Sequence, residues 1–376
     1  MNKQIPFNKP YLTGKETHYI YQAVHSGKIS GNGEFTKKCQ RYFEDNLLLG
    51  KSLLTTSCTD ALEMSAILIH LKEGDEVILP SYTFVSTANA FVLRGAKLVF
   101  ADSNPDNPNM DAQQIESLIS PKTKAIVVVH YAGIACDMDP IQQIAKKYNL
   151  FLIEDAAQAV DSYYKGKALG SFGDLSAFSF HETKNIQSGE GGLLGINNKF
   201  FEERAEIIWE KGTNRAAFFR GEVDKYGWVD IGSSFLPSEI IAAFLFAQIE
   251  NIQDIQKRRK EIWDRYKKHL SPVEGKVQFP FIPPYATNNA HMFYLVCSSL
   301  QDRTALVAHL KSKGIYAAFH YISLHSSPYY QNKHDGRILK ETDRYSDCLL
   351  RLPLYYELSD SEVDYICQEV LNYYGI

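Results

Sequence analysis

The sequence has few of the features that mark specialised classes. No stretch approaches the roughly 20 apolar residues of a membrane span, and the longest candidates break within about ten. Its 376 residues hold six scattered cysteines (Cys39, Cys58, Cys136, Cys297, Cys348, Cys367). No two stand at CxxC spacing, so neither a zinc site nor a thioredoxin-like motif has support. Neither sign of charge dominates: 40 Lys+Arg against 44 Asp+Glu leave a formal charge of −4, which removes the electrostatic case for nucleic-acid binding. There is no internal repeat, low-complexity tract or charged tail. Met1 to Phe7 lack the apolar run of a signal peptide. The expected location is therefore the cytoplasm, with reduced thiols. Cys348 and Cys367 read as small core residues.

What is present is an ordinary globular composition, 45% hydrophobic and 22% charged, in a chain long enough for a large domain and a smaller lobe. Candidate strands are 76–79, 97–100, 125–129 and 150–153, separated by helical patterns at 60–71, 86–93, 112–119 and 140–148. Near-continuous apolar strands alternating with helices predict an α/β fold with a mainly parallel sheet covered on both faces. Ligands in such sheets collect beyond the carboxyl ends of the strands. Ser238-Glu239 opens a long helical pattern with Ile241, Leu245 and Ile249 on its apolar side. On its continuation Lys257-Arg258-Arg259-Lys260 reads as a solvated helix face. The proline-rich run 279–284 marks a junction, followed by a strand-like 291–297 and helices at 302–313 and from Ser359. The expected organisation is a large domain over 1–250, a bridging helix at the junction, and a small C-terminal α/β domain over 251–376.

Chemistry-bearing residues follow the strands. Ser176 to Phe180 alternates as a strand and runs into His181-Glu182-Thr183-Lys184-Asn185, with the glycine loop Gly189-Glu190-Gly191-Gly192 behind it. A lysine there suits an imine-forming nucleophile of lowered pKa, although a lone lysine is more often a surface loop residue. Asp155 stands at the carboxyl end of the strand 150–153 and precedes Ala156-Ala157-Gln158. An acid there suits pairing with a protonated pyridine nitrogen, and equally a helix N-cap. Thr55 to Leu62 is a polar turn entering a helix, which could cradle a phosphate or simply cap the helix. Phe84, in the segment Pro80 to Val85 that follows the strand 76–79, could stack on a planar ring or fill core.

In that order these features resemble the fold-type I pyridoxal-phosphate enzymes, and more narrowly the DegT/DnrJ/EryC1/StrS family of nucleotide-sugar aminotransferases. The match is carried by Thr59-Asp60-Ala61-Leu62, Pro80-Ser81-Tyr82-Thr83-Phe84, Glu154-Asp155-Ala156-Ala157-Gln158, Ser179 to Asn185 and Gly189 to Gly192. The resemblance implies that Lys184 is the catalytic residue, bonded covalently to pyridoxal phosphate, with pyridoxamine phosphate as the other cofactor form. Asp155 would face the pyridine nitrogen, Gln158 the ring hydroxyl and Phe84 the ring face. Thr59, Asp60 and Ser179 would bind phosphate. It also implies a cytoplasmic homodimer with shared active sites, no metal, and L-glutamate as amino donor.

Longer strings (80–96, 129–133, 210–215 and 319–322) resemble members that aminate C4 of dTDP-4-keto-6-deoxy-D-glucose. The implied product is dTDP-4-amino-4,6-dideoxy-D-galactose, for cell-surface polysaccharide such as enterobacterial common antigen or lipopolysaccharide O-antigen. The gluco-configured 4-amino sugar and a 3-amino-3,6-dideoxyhexose are the alternatives within the class. A regulatory or sensory protein on the same fold is the alternative outside it. His320, Tyr321 and His325 are candidate substrate-facing residues, and His130 is similar. His181 reads as structural.

One stretch departs from the family. Many relatives have Gly-Tyr-Asn-Tyr-Arg-Met-Ser-Glu where this chain has Gly232-Ser233-Ser234-Phe235-Leu236-Pro237-Ser238-Glu239. The Asn of that motif reaches the partner subunit's cofactor phosphate. Ser234 takes its place here as a shorter cofactor-binding candidate, and Leu236 replaces the Arg.

Overall fold

The computed structural model describes residues 4–376. Its centre is a sheet of seven strands: β1 (Lys51–Thr55), β2 (Glu76–Pro80), β3 (Lys97–Ala101), β4 (Thr123–Val129), β5 (Phe151–Asp155), β8 (Leu175–Ser179) and β9 (Gly192–Ile196). A two-residue hairpin, β6 (Tyr163–Tyr164) and β7 (Lys167–Ala168), lies between β5 and β8. The spatial order is β1-β9-β8-β5-β4-β2-β3, and only β9 runs against the others. Alternate residues divide between two apolar clusters. Leu54, Ile78, Ile126, Val128 and Leu152 enter one, while Leu53, Val77, Leu79, Val127 and Ile153 enter the other. Burial on both faces explains why these strands read as continuous apolar runs.

The expected helices form with shifted ends: Cys58–Leu68, Val85–Val92, Met138–Tyr148, and a short Ala112–Ile115 extended by a 3-10 turn. Six strands point their carboxyl ends to one edge. The amino end of β9 arrives at the same edge, because Gly192 pairs with both Thr55 and Ser179. Only glycine fits there, since a Cβ on Gly192 would lie 2.3 Å from the Ser57 carbonyl carbon.

The long helical pattern is two helices, Glu239–Glu250 and Ile252–Leu270, broken at Asn251. The second begins in the sheet's core with Ile252 and Ile255. From Ile262 it joins a third cluster with residues of the C-terminal lobe and Ile5. That lobe holds an antiparallel pair, β10 (Phe293–Val296) and β11 (Leu349–Leu352), with helices Leu300–Ser312, Lys340–Cys348 and Asp360–Tyr373. The last helix starts with a capping box in which Ser359 and Glu362 bond reciprocally. Ile5 pairs with Ile315, so the N-terminal segment lies along the C-terminal lobe.

The basic run on this second helix corrects the expectation of a solvated face. Arg259 is 3% exposed and continues the buried positions Ile252, Ile255, Gln256, Ile262 and Trp263. Its guanidinium donates to the Ala290 and His291 carbonyls at 3.1 and 2.7 Å. Burial lowers its pKa to about 9. Helical period rather than charge density decided its side. No helix among the described residues is long and apolar enough to cross a membrane.

Candidate active site

A cavity of about 370 Å³ opens at the carboxyl edge of the sheet and is closed on its far side by the C-terminal lobe. It gathers Thr59, Phe84, Asp155, Gln158, Ser179, Lys184, His320 and Tyr321 from the sequence-derived set. Asp60, Ser234 and His325 do not line it.

Lys184 sits in the connection between β8 and β9, which hydrogen bonds fold back on itself: Phe180 N–H donates to Gly191 O, and Glu182 N–H to Gly189 O. Asn185 fastens this loop to the other lobe. Its amide donates to Gln256 Oε1 at 2.8 Å and to Asn289 O at 2.9 Å, and its Oδ1 accepts from His291 Nδ1 at 2.8 Å. Among the described residues no hydrogen bond or ion pair engages the Lys184 ammonium. Burial lowers its pKa, opposed by Cys58 and Asp155 and reinforced by Arg351. A lysine so placed holds a neutral, nucleophilic Nζ more readily than one in water.

Asp155 is 5% exposed, and burial raises its pKa against the pull of its hydrogen bonds and of Lys184. Its Oδ2 accepts from Thr87 Oγ1 at 2.7 Å and its Oδ1 from Ala157 N–H at 3.1 Å. Thr83 and Thr87 hydroxyls are 2.9 Å apart, so Thr83 supplies the proton that Thr87 lacks once it donates to Asp155. Gln158 is fixed by Ala132 N–H to its Oε1 at 2.6 Å, and its Nε2 reaches the Tyr321 hydroxyl at 3.3 Å. Phe84 is 53% exposed and its ring centroid lies 5.8 Å from that of Tyr321. An apolar ring so open contributes little to the core.

The helix Cys58–Leu68 aims its N-terminus at the same cavity. Ser57 caps it, accepting from Asp60 N–H at 3.1 Å, and Thr56 donates to the Asp60 carboxylate. The Asp60 amide and side chain are thus both engaged within the turn itself. The N–H groups of Cys58 and Thr59 have no partner among the described residues. With the Thr59 and Ser179 hydroxyls they form a cup suited to an anion. Ser234 is exposed and pairs with Glu210 in an isolated bridge.

The histidines separate by environment. His320 lines the cavity, its carbonyl accepting from Tyr82 and Tyr131 hydroxyls at 2.6 and 2.8 Å. Burial, then Arg351, pushes its pKa down to about 4. His325 is 8% exposed and spends both ring nitrogens on scaffold, Nδ1 on Ser81 Oγ at 2.8 Å and Nε2 toward Asp343 at 3.4 Å. His181 lines the cavity but turns Nδ1 to Thr183 within its own loop. His130 is buried, with Nε2 on Glu154 at 3.0 Å while Nδ1 accepts from Cys136 N–H. Sequence reasoning passed over Phe7, Thr87, His291 and Arg351, all on the cavity wall. Arg351 carried a visible signal, a cation among Leu349, Leu350 and Leu352.

Known proteins resemble this chain over nearly its whole length. Residues 10–371 match the DegT/DnrJ/EryC1/StrS aminotransferase family. GDP-perosamine synthase of Escherichia coli O157:H7 is 34% identical over 99% of both chains. The spore coat polysaccharide biosynthesis protein SpsC of Bacillus subtilis is 32% identical over 98% of this chain and 97% of its own. Among solved structures, the aminotransferase TlmJ of Streptoalloteichus hindustanus superposes with a TM-score of 0.92 at 30% identity, covering 99% of each chain.

Proposed function

The chain belongs to the DegT/DnrJ/EryC1/StrS aminotransferase family, and from that premise we propose that it transfers the amino group of L-glutamate to C4 of dTDP-4-keto-6-deoxy-D-glucose. The product in this reading is dTDP-4-amino-4,6-dideoxy-D-galactose, made in the cytoplasm for cell-surface polysaccharide. The enzyme is an aminotransferase that uses pyridoxal phosphate, as its family and neighbours solved in pyridoxal- and pyridoxamine-phosphate forms do.

The residues present fit that cofactor. A partly buried lysine and a cup of amides, both without partners among the described residues, share one cavity with a buried aspartate, and this observation carries the proposal. When bound, the cofactor supplies an electron sink for the carbon that loses and regains a proton. Lys184 would hold it through Nζ, and once displaced by the donor's amine that Nζ would carry the proton between the two reacting carbons. Asp155, fixed by Thr87 and Ala157, faces the ring nitrogen and keeps it protonated. Gln158 turns to the ring hydroxyl, and Phe84 covers one ring face. Thr59 and Ser179 hold the phosphate with the amide of Cys58. Asp60 contributes by fixing the Ser57 turn, and Ser234 serves the partner subunit's site in a homodimer. His320 and Tyr321 face the sugar, while His325 supports the loop beneath them.

The sugar assignment is supported by the strings 80–96, 129–133 and 319–322, whose residues Tyr82, Tyr131 and Tyr321 pack as one aromatic group with ring centroids 5.3 to 6.3 Å apart. A second reading, a GDP-linked sugar, is favoured by the 34% identity to GDP-perosamine synthase. The test is proton NMR of the product formed from the dTDP- and the GDP-linked 4-keto-6-deoxyhexose, offered separately with L-glutamate. Turnover of the dTDP sugar with a small H3–H4 coupling supports the galacto product. A large coupling means the gluco product, and turnover of the GDP sugar alone supports the second reading.

A further inference from the structure

Residues 5–11 cross from the C-terminal lobe to the sheet domain with no helix or strand of their own beyond the bridge at Ile5. Pro6 and Pro10 keep the run extended, because each fixes its own φ and holds the preceding residue out of the helical region. Its anchors are spread along its length. Ile5 is buried in the C-terminal lobe, its N–H donating to Gly314 O at 2.8 Å and its carbonyl accepting from Tyr316 N–H at 3.0 Å. Asn8 Nδ2 donates to Glu182 O at 3.1 Å, in the loop that carries Lys184. Tyr11 O accepts from Gln187 Nε2 at 3.2 Å and from Gln248 Nε2 at 2.9 Å. Gln187 is buried in the same lysine loop, where its Oε1 also takes the Gly189 N–H at 2.7 Å. The run therefore ties the C-terminal lobe to the lysine loop on both sides of Lys184.

Between the anchors at Ile5 and Asn8 stands Phe7, whose ring reaches the cavity. The Arg351 guanidinium lies 5.1 Å from its centroid, within the range of cation–π attraction, and the His320 ring meets it edge-on at 6.0 Å. Arg351 Nη1 and His320 Nδ1 are themselves 3.1 Å apart, so one ring covers a hydrogen-bonded pair. Phe7, Thr183, His291 and Arg351 also line a second cavity of about 10 Å³, bounded further by Asn8 and Leu354. Facing both spaces, Phe7 stands in the wall between them.

We infer that residues 5–11 form a strap that closes the cavity beside Lys184, and that Phe7 is a positioning residue within it. Its ring holds Arg351 and His320 against each other and keeps bulk water from the lysine. The inference rests on the aminotransferase reading and goes beyond it by giving the N-terminal segment a part in the reaction. Closure matters at such a site, since charges in a dry cavity are steered by their neighbours more strongly than charges in water. The competing reading is a plain tether between the lobes, for which Ile5, Asn8 and Tyr11 suffice and the ring at position 7 is idle.

The chain carries its own probe of this closure. Cys58 lies on the cavity wall and is partly exposed, whereas Cys39, Cys136, Cys297, Cys348 and Cys367 are buried. The experiment compares wild type, Phe7→Ala and Phe7→Tyr, each loaded with pyridoxal phosphate and free of it, by the rate at which iodoacetamide alkylates each cysteine. Peptide mass spectrometry reads the sites separately, and protection of the buried ones shows that a variant is folded. Removing the ring admits the reagent and hydrates the Cys58 thiol, whose pKa burial holds up, so both effects speed the reaction. Phe7→Ala should raise Cys58 labelling by about 10-fold and lower turnover with L-glutamate on the order of 10-fold. Phe7→Tyr keeps the ring and should bring both back to within roughly threefold of wild type.

Unchanged Cys58 labelling in Phe7→Ala, with the buried cysteines still protected, would overturn the closure. Faster labelling with full turnover would overturn the positioning role. If every cysteine of Phe7→Ala reacts, that variant has unfolded and Asn8→Ala decides, since it removes only an exposed side chain's bond to Glu182 O. Faster Cys58 labelling in Asn8→Ala supports the strap, and an unchanged rate overturns it. Wild type that transfers no amino group from L-glutamate overturns the aminotransferase reading instead, and the labelling comparison then decides the closure by itself.

Discussion

Asn185 Oδ1 and His291 Nδ1 meet at 2.8 Å, joining the residue after Lys184 to the C-terminal lobe. Through this contact the two lobes jointly decide where the lysine stands. His291 is buried, and burial holds its pKa well below the ordinary value. Its ring therefore stays neutral and donates from Nδ1 across the working range of pH.

Asn185→Ala removes this tie and leaves buried donors and acceptors on Gln256, Asn289 and His291. The expected cost is about 1–3 kcal/mol of stability. Misplacing Lys184 by a fraction of an ångström should lower turnover on the order of 10²-fold. Urea unfolding and single-turnover kinetics on one preparation check both effects. A variant that loses stability but keeps full turnover would show that the lysine loop positions itself.

Asp155→Asn keeps the shape of the side chain and its contact with Thr87 while removing the charge. The variant should still bind the cofactor, but turnover should fall on the order of 10²-fold or more, because an amide cannot hold a protonated ring nitrogen. Cofactor binding by fluorescence titration, alongside turnover, separates the two effects.

The fold and half of the site are legible in sequence because they follow local rules. Lys184 and Asp155 can be singled out because each ends or follows a near-continuous apolar strand, where parallel sheets place their ligands. The strand Lys51–Thr55 is harder to see, being five residues with polar Lys51, Ser52 and Thr55 among them. Arg351 and His291 reach the cavity only through tertiary packing of the C-terminal lobe on the sheet, which no local pattern encodes. Arg259 shows the reverse: four consecutive cations suggest solvent, yet helical period turns one of them inward to two carbonyls. The free amides of Cys58 and Thr59 could be anticipated as a helix start, but not that Ser57 would occupy the amide of Asp60.

Lys184 also links the site to stability. Burial lowers its pKa from the ordinary 10.5 in the cofactor-free protein. Between the depressed folded value and 10.5 the unfolded chain binds more protons than the folded one, so stability rises with pH across that window. Lys184→Met abolishes this contribution. Urea midpoints of the two cofactor-free proteins, taken at increasing pH, should show wild type gaining on the variant up to about pH 10.5. A difference that does not vary with pH would contradict a lysine of depressed pKa.

The most direct measurement is to reduce the pyridoxal-phosphate-loaded enzyme with borohydride, digest it, and locate the pyridoxyl group by mass spectrometry. The account predicts a single modified residue, Lys184. It also predicts no label and no amino transfer in Lys184→Ala, although that variant still binds the cofactor. A label on another lysine, or turnover retained by Lys184→Ala, would contradict the assignment of this cavity as the active site.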